Sequence, residues 1–495
     1  MVLSSLSDRP GRRLVLGGAT GLALALGQAP FGLWWVALPG LVALTALVAT
    51  APTRRTAALT ALCGGAAHFA LALSWIVEPF LIDIARHGWM APFALLLMAV
   101  GLALFWMAAG WLSGLVAAPR RAIGFAVALA AVELARGYVL TGFPWALVGH
   151  IWVGAWPAQV AALAGPSGLT LMTTLAAALP VTLRWRGLAA GGAILGAAAA
   201  FGAWRLAQPD PAAPGVTLRL VQPNAEQKLK WDPDMAAAHF ARLLALTRDG
   251  PRPDLTIWPE TSVPYLLDRS PGLLDEIAAA GRGAPVAIGI QRSEGWRFWN
   301  SLAVVAPDAT IAGLYDKHHL APFGEYVPMG DTLFALFGVR AFAAQEGYGY
   351  SAGSGPAVLD LGPGLGRVLP LICYEAVFPQ DLRTDTRAEW ILQITNDAWF
   401  GTFSGPYQHL AQTRLRAIEQ GMPLVRVANT GVSALIDAKG RVMADLPLGA
   451  AGYKDVALPA TLPPTPFSQK GELPVLFILA VLCGFLALSR GPRRA

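Results

Sequence analysis

Eight long apolar segments constrain this chain more than any other feature. Seven follow one another within the first 207 residues, and the eighth lies near the C-terminal end. Because about 20 apolar residues can cross the hydrocarbon core of a bilayer as an α-helix, we predict a membrane α-helical bundle of about eight spans. A cleaved signal peptide is the alternative for the first segment, but further spans follow it at once. The predicted spans cover about 14–29, 32–50, 57–80, 89–117, 122–141, 157–183, 187–206 and 473–489.

Arginines mark every second connection between these spans. By the positive-inside rule, arginine-rich connections face the cytoplasm. We therefore expect both termini in the cytoplasm and residues 208–471 on the opposite side, which in a bacterial inner membrane is the periplasm. The net charge of +6 comes mainly from these arginines, and without a long basic run we expect no nucleic-acid partner. The arginines are Arg9, Arg12, Arg13, Arg54, Arg55, Arg120, Arg121, Arg184, Arg186, Arg490, Arg493 and Arg494.

Composition divides the chain into an N-terminal membrane domain (1–207), an extramembrane domain (208–471) and a C-terminal span with its tail (472–495). In the extramembrane domain, short β-rich runs alternate with amphipathic stretches, which predicts a mixed sheet covered by helices. We predict strands at 216–221, 254–258, 285–291, 298–306, 310–316, 356–361, 366–372, 389–395, 423–428, 432–437 and 441–445. We predict helices at 233–248, 271–281, 379–387 and 406–420.

The segment 321–355 differs from the rest of this domain because it is rich in glycine and aromatic residues and has no clear periodicity. Unstructured loops of this length are usually functional or disordered, and the aromatic content argues against disorder. We interpret the segment as a lid that dips toward lipid. The alternative is a loop that packs on its own core.

Three ionisable side chains end strand-like runs of the extramembrane domain: Glu260, Lys317 and Cys373. A carboxylate, an amine and a thiol in such positions would form a base, an electrostatic clamp and a nucleophile. Cys63 and Cys483 lie in apolar segments, where we expect them only to pack. Cys373 thus has no evident disulfide partner on the oxidising side of the membrane, which favours a chemical role.

Attack of a thiolate on an ester needs a proton acceptor and a group that stabilises the oxyanion. Glu260 would take the thiol proton and return it to the leaving alcohol. Lys317, together with the backbone N–H of Tyr374, would hold the oxyanion, and Lys317 would also favour ionisation of the Cys373 thiol.

Metal chemistry is not expected from this sequence. No CxxC or HExxH spacing occurs, and the adjacent His318 and His319 would point in opposite directions on a strand. We expect neither a metal ion nor a cofactor.

Three motifs, in chain order, resemble those of the nitrilase superfamily with its Glu–Lys–Cys triad. They are Trp258-Pro259-Glu260-Thr261, Tyr315-Asp316-Lys317 and Ile372-Cys373-Tyr374-Glu375. Together with the seven preceding spans and the one that follows, they make the chain similar to the apolipoprotein N-acyltransferase family. Further matching segments are Gln222-Pro223-Asn224, Lys230-Trp231-Asp232, Pro322–Pro328, Thr395–Phe400, Ala428-Asn429-Thr430-Gly431 and Thr141-Gly142-Phe143-Pro144-Trp145.

The resemblance implies a nitrilase-like α-β-β-α sandwich and a reaction in two steps. Cys373 would take an acyl chain from a phospholipid, with phosphatidylethanolamine as the implied donor. The free amine of an S-diacylglyceryl cysteine on an apolipoprotein would then attack the thioester. A membrane-tethered carbon-nitrogen hydrolase with the same triad and water as acceptor is the alternative. A transporter or lipid-binding protein with an inactive domain would instead predict a broken triad.

The resemblance also implies supporting residues. Glu325 matches the family's second carboxylate and would orient Lys317 or the surroundings of the thiol. Trp231, Tyr374 and Glu375 match positions that line the family's pocket, and we expect Asn300, Phe323, Tyr326 and Trp399 to bind substrate as well. We expect a monomer in the membrane. Glu133 and Arg136, one helical turn apart, would form a structural pair, or Arg136 would contact a lipid headgroup.

Overall fold

The computed structural model describes residues 10–230, 232–328 and 349–488, which form two compact units. The first comprises the described residues of Met1–Gln208, Phe403–Leu415 and Pro464–Ala495, and the second comprises those of Pro209–Thr402 and Arg416–Pro463. The first unit is helical and the second is built on β-sheets.

A helix occupies each apolar segment of the first unit. These helices are α1 (Pro10–Ala25), α2 (Trp34–Ala49), α3 (Arg54–Ala72), α4 (Ala91–Ser113), α5 (Arg121–Arg136), α6 (Ala161–Leu183), α7 (Trp185–Ala207) and α11 (Leu473–Leu488). Short helical turns lie at Ser74–Val77, Glu78–Leu81, Ile84–His87, Gly88–Met90, Ala118–Arg120, Val148–Trp152, Trp156–Val160 and Pro466–Lys470.

Fewer of these helices than predicted meet the length and composition expected of a membrane span. Among the described residues, Ile84–Ser113, Trp156–Leu183 and Trp185–Ala207 do so, and Arg54–Ala72 with Ser74–Leu81 would be a fourth span bent by 62°. Helices α1, α2, α5 and α11 have 16 residues each. At 1.5 Å per residue they reach about 24 Å, less than a hydrocarbon core of about 30 Å. Three or four spans are thus supported, and eight remain a prediction.

A buried ion pair organises the chain that follows α5. Glu133 and Arg136 are each 1% exposed, and Arg136 Nη2 donates to Glu133 Oε1 at 3.0 Å. Arg136 Nη1 also donates to the carbonyl oxygens of Phe143 at 2.5 Å and Trp145 at 2.9 Å. The pair therefore ties the Thr141–Trp145 motif to its helix, which favours the structural role over a headgroup contact.

Two six-stranded sheets form the second unit. In the first sheet the strand order is β12-β1-β2-β3-β4-β5, and in the second it is β11-β10-β9-β8-β7-β6. The first contains β1 (Thr217–Gln222), β2 (Leu255–Ile257), β3 (Val286–Glu294), β4 (Arg297–Val305), β5 (Ile311–Asp316) and β12 (Gly452–Ala457). The second contains β6 (Leu359–Asp360), β7 (Arg367–Ile372), β8 (Trp390–Thr395), β9 (Leu424–Ala428), β10 (Ser433–Ile436) and β11 (Val442–Leu446).

An apolar core packs between the two sheets, with Leu220 and Ile257 from the first and Ile372 and Leu392 from the second. Helices α8 (Pro233–Arg248) and α9 (Leu273–Gly281) bury a second cluster against the first sheet. Helix α10 (Gly405–Gln420) lies between β8 and β9 in the chain. These layers confirm the predicted nitrilase-like sandwich.

Two predictions of secondary structure were wrong. The helix expected at 379–387 is only a 3₁₀ turn at Pro379–Leu382, because Thr384, Asp385 and Thr386 favour turns over helix. Strand β12 was not predicted, because its polar sequence has a weak apolar alternation. It pairs antiparallel with β1, with Thr217 opposite Ala457.

Candidate active site

The ends of three strands bring the predicted triad together. Glu260 follows β2, Lys317 follows β5 and Cys373 follows β7, and all three are buried. Lys317 Nζ lies 3.6 Å from Glu260 Oε1. The charges of both residues act on the Cys373 thiol. Strands β2 and β5 belong to the first sheet and β7 to the second, so the site is assembled from both layers.

Cys373 has a strained backbone. Its φ of +52° lies in the left-handed region, which only glycine adopts without penalty. The residue opens the 3₁₀ turn Cys373–Val377, and its carbonyl oxygen accepts from Gln393 Nε2 at 3.2 Å. Strain of this kind costs about 1–3 kcal/mol and persists where the surroundings fix it, often at functional sites. The sharp turn ends the strand directly at the thiol.

The Glu375 side chain holds this turn in place through hydrogen bonds. Its carboxylate, fully buried, accepts from the backbone N–H of Ile372 at 2.7 Å, of His318 at 2.8 Å and of His319 at 3.2 Å. The Tyr315 hydroxyl donates to it at 2.8 Å. One carboxylate therefore joins the residue before the cysteine to the two residues after the lysine. This contact gives Glu375 a place in the site although it follows the nucleophile in the chain.

A second carboxylate, that of Glu325, holds Lys317. Lys317 Nζ donates to it at 2.8 Å, and the backbone N–H of Ala321 does so at 2.8 Å. Asn300 connects both acids, because its Nδ2 donates to Glu260 at 2.7 Å and to Glu325 at 3.2 Å. The Asn300 Oδ1 atom is buried and bonds to nothing in the described part of the chain. Asn300 thus lies beside the triad, and its binding of substrate stays a prediction.

Burial dominates the electrostatics of the thiol. It raises the pKa of Cys373, the Glu260 carboxylate raises it further, and Lys317 lowers it. Lys317 therefore acts in the predicted direction without outweighing burial, so the resting thiol is protonated at neutral pH. Burial also opposes the charge on Lys317, but Glu325, Glu260 and Cys373 together raise the pKa of that lysine. The lysine stays a cation, and the thiol needs a base.

Sequence reasoning missed two contacts of Glu260. Lys230, which is 6% exposed, donates to Thr261 Oγ1 at 2.8 Å and to the Glu260 carbonyl oxygen at 3.4 Å. Burial lowers the pKa of Lys230 to about 8, opposed by Glu260 and Cys373. The backbone N–H of Asn396 donates to Glu260 Oε2 at 2.8 Å. Both residues lie in segments that resemble the family's, which was the available signal.

The remaining predicted pocket residues differ in burial and in their contact with the triad. Tyr374 is buried, with its ring 4.9 Å from that of Phe378, and Tyr326 lies close enough to influence it electrostatically. Phe323 is 54% exposed and Trp399 half-buried, and within the described ranges no recorded contact joins either to the triad. Trp231 and residues 329–348, most of the predicted lid, lie outside the described residues.

The prediction that His318 and His319 point in opposite directions was wrong. Strand β5 ends at Asp316, so strand geometry does not apply to them. His319 Nδ1 lies 2.8 Å from Asp381 and His318 Nε2 lies 3.6 Å from it. Burial disfavours the charged form of His318, but contacts with Asp381 and Glu375 raise its pKa to about 9. The two rings thus share a buried carboxylate beside the site.

Two sheets in this order, with a glutamate, a lysine and a cysteine at neighbouring strand ends, define the carbon-nitrogen hydrolase class. Residues 217–462 match that family, and residues 20–179 match the apolipoprotein N-acyltransferase N-terminal domain. An apolipoprotein N-acyltransferase of Caulobacter vibrioides is 38% identical over 96% of this chain and 94% of its own. One of Bradyrhizobium diazoefficiens is 37% identical over 95% and 94%. The chain belongs to the apolipoprotein N-acyltransferase family.

A solved structure gives a weaker likeness. A CN-hydrolase superfamily protein of Xanthomonas campestris, with an arsenic adduct in its active site, is 21% identical. The alignment covers 49% of this chain and 90% of that protein, with a TM-score of 0.36.

Proposed function

We propose that the protein transfers an acyl chain from a membrane phospholipid, through a thioester on Cys373, to the N-terminal amine of a diacylglyceryl apolipoprotein. The observation that carries this proposal is the buried cluster of Glu260, Lys317 and Cys373. It occurs in a chain whose first part matches the N-terminal domain of that family. Phosphatidylethanolamine is the proposed donor.

In the first step Glu260 removes the thiol proton as the sulfur attacks the ester carbonyl carbon. Because the thiol is protonated at rest, this transfer is needed before or during attack. The oxyanion that forms is stabilised by Lys317 and by the backbone N–H of Tyr374. The ester C–O bond then breaks, and Glu260 returns the proton to the departing lysophospholipid. A thioester and a neutral alcohol remain.

In the second step the free amine of the lipoprotein attacks the thioester carbonyl. Glu260 takes a proton from the amine, the C–S bond breaks, and the proton passes to the Cys373 sulfur. The products are an amide and the resting thiol, so no cofactor is consumed. Glu325 and Asn300 act as positioning residues, because they hold Lys317 and Glu260 through the hydrogen bonds described above.

The proposed setting is the inner membrane of a bacterium. The arginine pattern supports eight spans, cytoplasmic termini and a catalytic domain in the periplasm. We propose domain boundaries at 1–207, 208–471 and 472–495, and a protein that acts as a monomer. The acceptor and the donor both reach the site from the bilayer, where their acyl chains remain.

The test is the intact mass of the purified protein after incubation with phosphatidylethanolamine, followed by addition of a diacyl lipopeptide. We expect a fatty-acyl adduct that lipopeptide removes, with the acyl chain appearing on the peptide amine. Cys373→Ala should carry no adduct, and Cys63→Ala is the matched control that should carry it. Adduct loss to water, with no acylated peptide, would favour the hydrolase alternative instead.

A further inference from the structure

A cavity of about 350 Å³ lies in the first unit, and none of its lining residues belongs to the candidate active site. Its walls come from residues 27–32, residues 145–153 and the first half of α10, all of which belong to that unit. The volume is within the range of about 300–1,000 Å³ that is common for small-molecule sites.

Two glutamines, one turn apart on α10, line this cavity and differ in their hydrogen bonding. Gln408 is fully used by the protein: its Oε1 accepts from Trp145 at 2.7 Å, and its Nε2 donates to the carbonyl oxygens of Ala29 at 3.0 Å and Ala72 at 2.8 Å. Gln412 is 2% exposed, yet both its Oε1 and Nε2 are without a partner among the described residues. A buried amide without hydrogen bonds costs several kcal/mol, so this side chain needs a ligand or water.

The rest of the lining indicates the chemistry of that ligand. Arg414 contributes a cation, so one group of the ligand is anionic. Gln412 offers a donor and an acceptor, so the ligand must carry a hydrogen-bond donor as well. Trp145, Val153 and Leu410 provide an apolar wall. A phosphate diester that carries an ammonium or hydroxyl group and continues into an apolar tail satisfies all of these conditions.

We propose that this cavity binds the headgroup of a glycerophospholipid. The phosphoryl oxygens accept from Arg414 and from Gln412 Nε2, and the ammonium or hydroxyl of the headgroup donates to Gln412 Oε1. The inference rests on the membrane setting in the proposed function, but it does not require that the bound lipid be the acyl donor.

The test is binding of dihexanoyl phosphatidylethanolamine to the full-length Cys373→Ala protein in detergent, measured by titration calorimetry. Gln412→Met and Arg414→Gln should each weaken binding roughly 10-fold or more, as expected for loss of a charge-assisted hydrogen bond. Arg186→Gln removes an exposed arginine of the same unit and should leave binding unchanged. Because the Gln412 amide bonds to nothing in the part of the chain that the structure describes, Gln412→Met should not lower the Tm.

Three outcomes would overturn the proposal. Equal binding by the Cys373→Ala protein with and without either cavity substitution would mean that only water occupies the site beside Gln412. Inorganic phosphate that competes as well as the lipid would make the cavity a simple anion site. A diacyl lipopeptide that displaces the lipid, and whose own affinity falls in Gln412→Met, would assign the cavity to the acceptor peptide. Since Cys373 is absent from these proteins, none of these outcomes bears on acyl transfer by the wild-type chain.

Discussion

Replacement of Glu375 by glutamine should disturb the positions of Cys373 and Lys317 while leaving the three triad side chains themselves unchanged. The glutamine has the same shape, but its amide nitrogen only donates. The oxygen can face Tyr315, His318 and His319, so the nitrogen must face the Ile372 N–H, whose acceptor is lost. One unsatisfied buried N–H and weaker remaining bonds together give about 2–4 kcal/mol of destabilisation. At about 2–4 °C per kcal/mol for a domain of this size, the Tm should fall roughly 4–16 °C.

In this variant the rate of Cys373 acylation should fall by more than the loss of folded protein alone would explain. A displacement of about 1 Å can lower a rate by about 10²-fold, so the thioester should form slowly even where the protein is fully folded. Tyr315→Phe is the lesser, matched change: it removes one donor and leaves the backbone bonds to Glu375, for about 0.5–1.5 kcal/mol. For both variants, the Tm would be measured in detergent and the thioester adduct on Cys373 would be followed by intact mass. An unchanged Tm together with wild-type acylation in Glu375→Gln would refute the alignment role.

Further predictions concern single residues and topology. Glu325→Gln should slow acylation roughly 10-fold while Glu260→Gln abolishes it; equal effects in the thioester assay would contradict separate roles. The pKa of His318 is about 9 against an ordinary 6.5. Protonated His318 therefore stabilises the folded state fully below pH 6.5, and this contribution is lost as the pH rises to 9. The Tm should therefore decline over that window in wild type and less in His318→Gln; parallel declines would exclude His318 as the cause. In a chain without native cysteines, one cysteine near Pro251 should react with impermeant reagent outside spheroplasts and one near Arg120 should not, and the reverse would invert the topology.

The triad was predictable because each member follows a strand at once or within three residues. Strand ends are set by local apolar runs, which the sequence displays around Glu260, Lys317 and Cys373. Asn300 was expected near substrate, but its bridge between two carboxylates depends on the antiparallel register of β4 and β5, where Ser301 faces Asp316. Lys230 lies outside any strand and reaches the site only through tertiary packing.

The positions of the helices in the first unit were predicted well, and their lengths were not. Apolar composition places the helices, but proline, glycine and local turns decide where each one ends. Helix α5 illustrates this: its apolar segment was expected to continue to 141, yet the helix ends at Arg136, whose side chain binds the carbonyl groups of Phe143 and Trp145. A hydropathy profile contains no information about such side-chain contacts.

Because the base and the lysine belong to one sheet and the nucleophile to the other, thermal inactivation should precede melting of either sheet. Apolar residues such as Ile372 and Leu392 pack the two layers together, and side-chain hydrogen bonds, such as that of Ser433 with Gln222, cross between them. Slight sliding of one layer on the other would leave the circular dichroism signal intact while the thiol lost its base. On heating, turnover should therefore be lost at a temperature several degrees below the Tm, because the two sheets shift against each other before either unfolds.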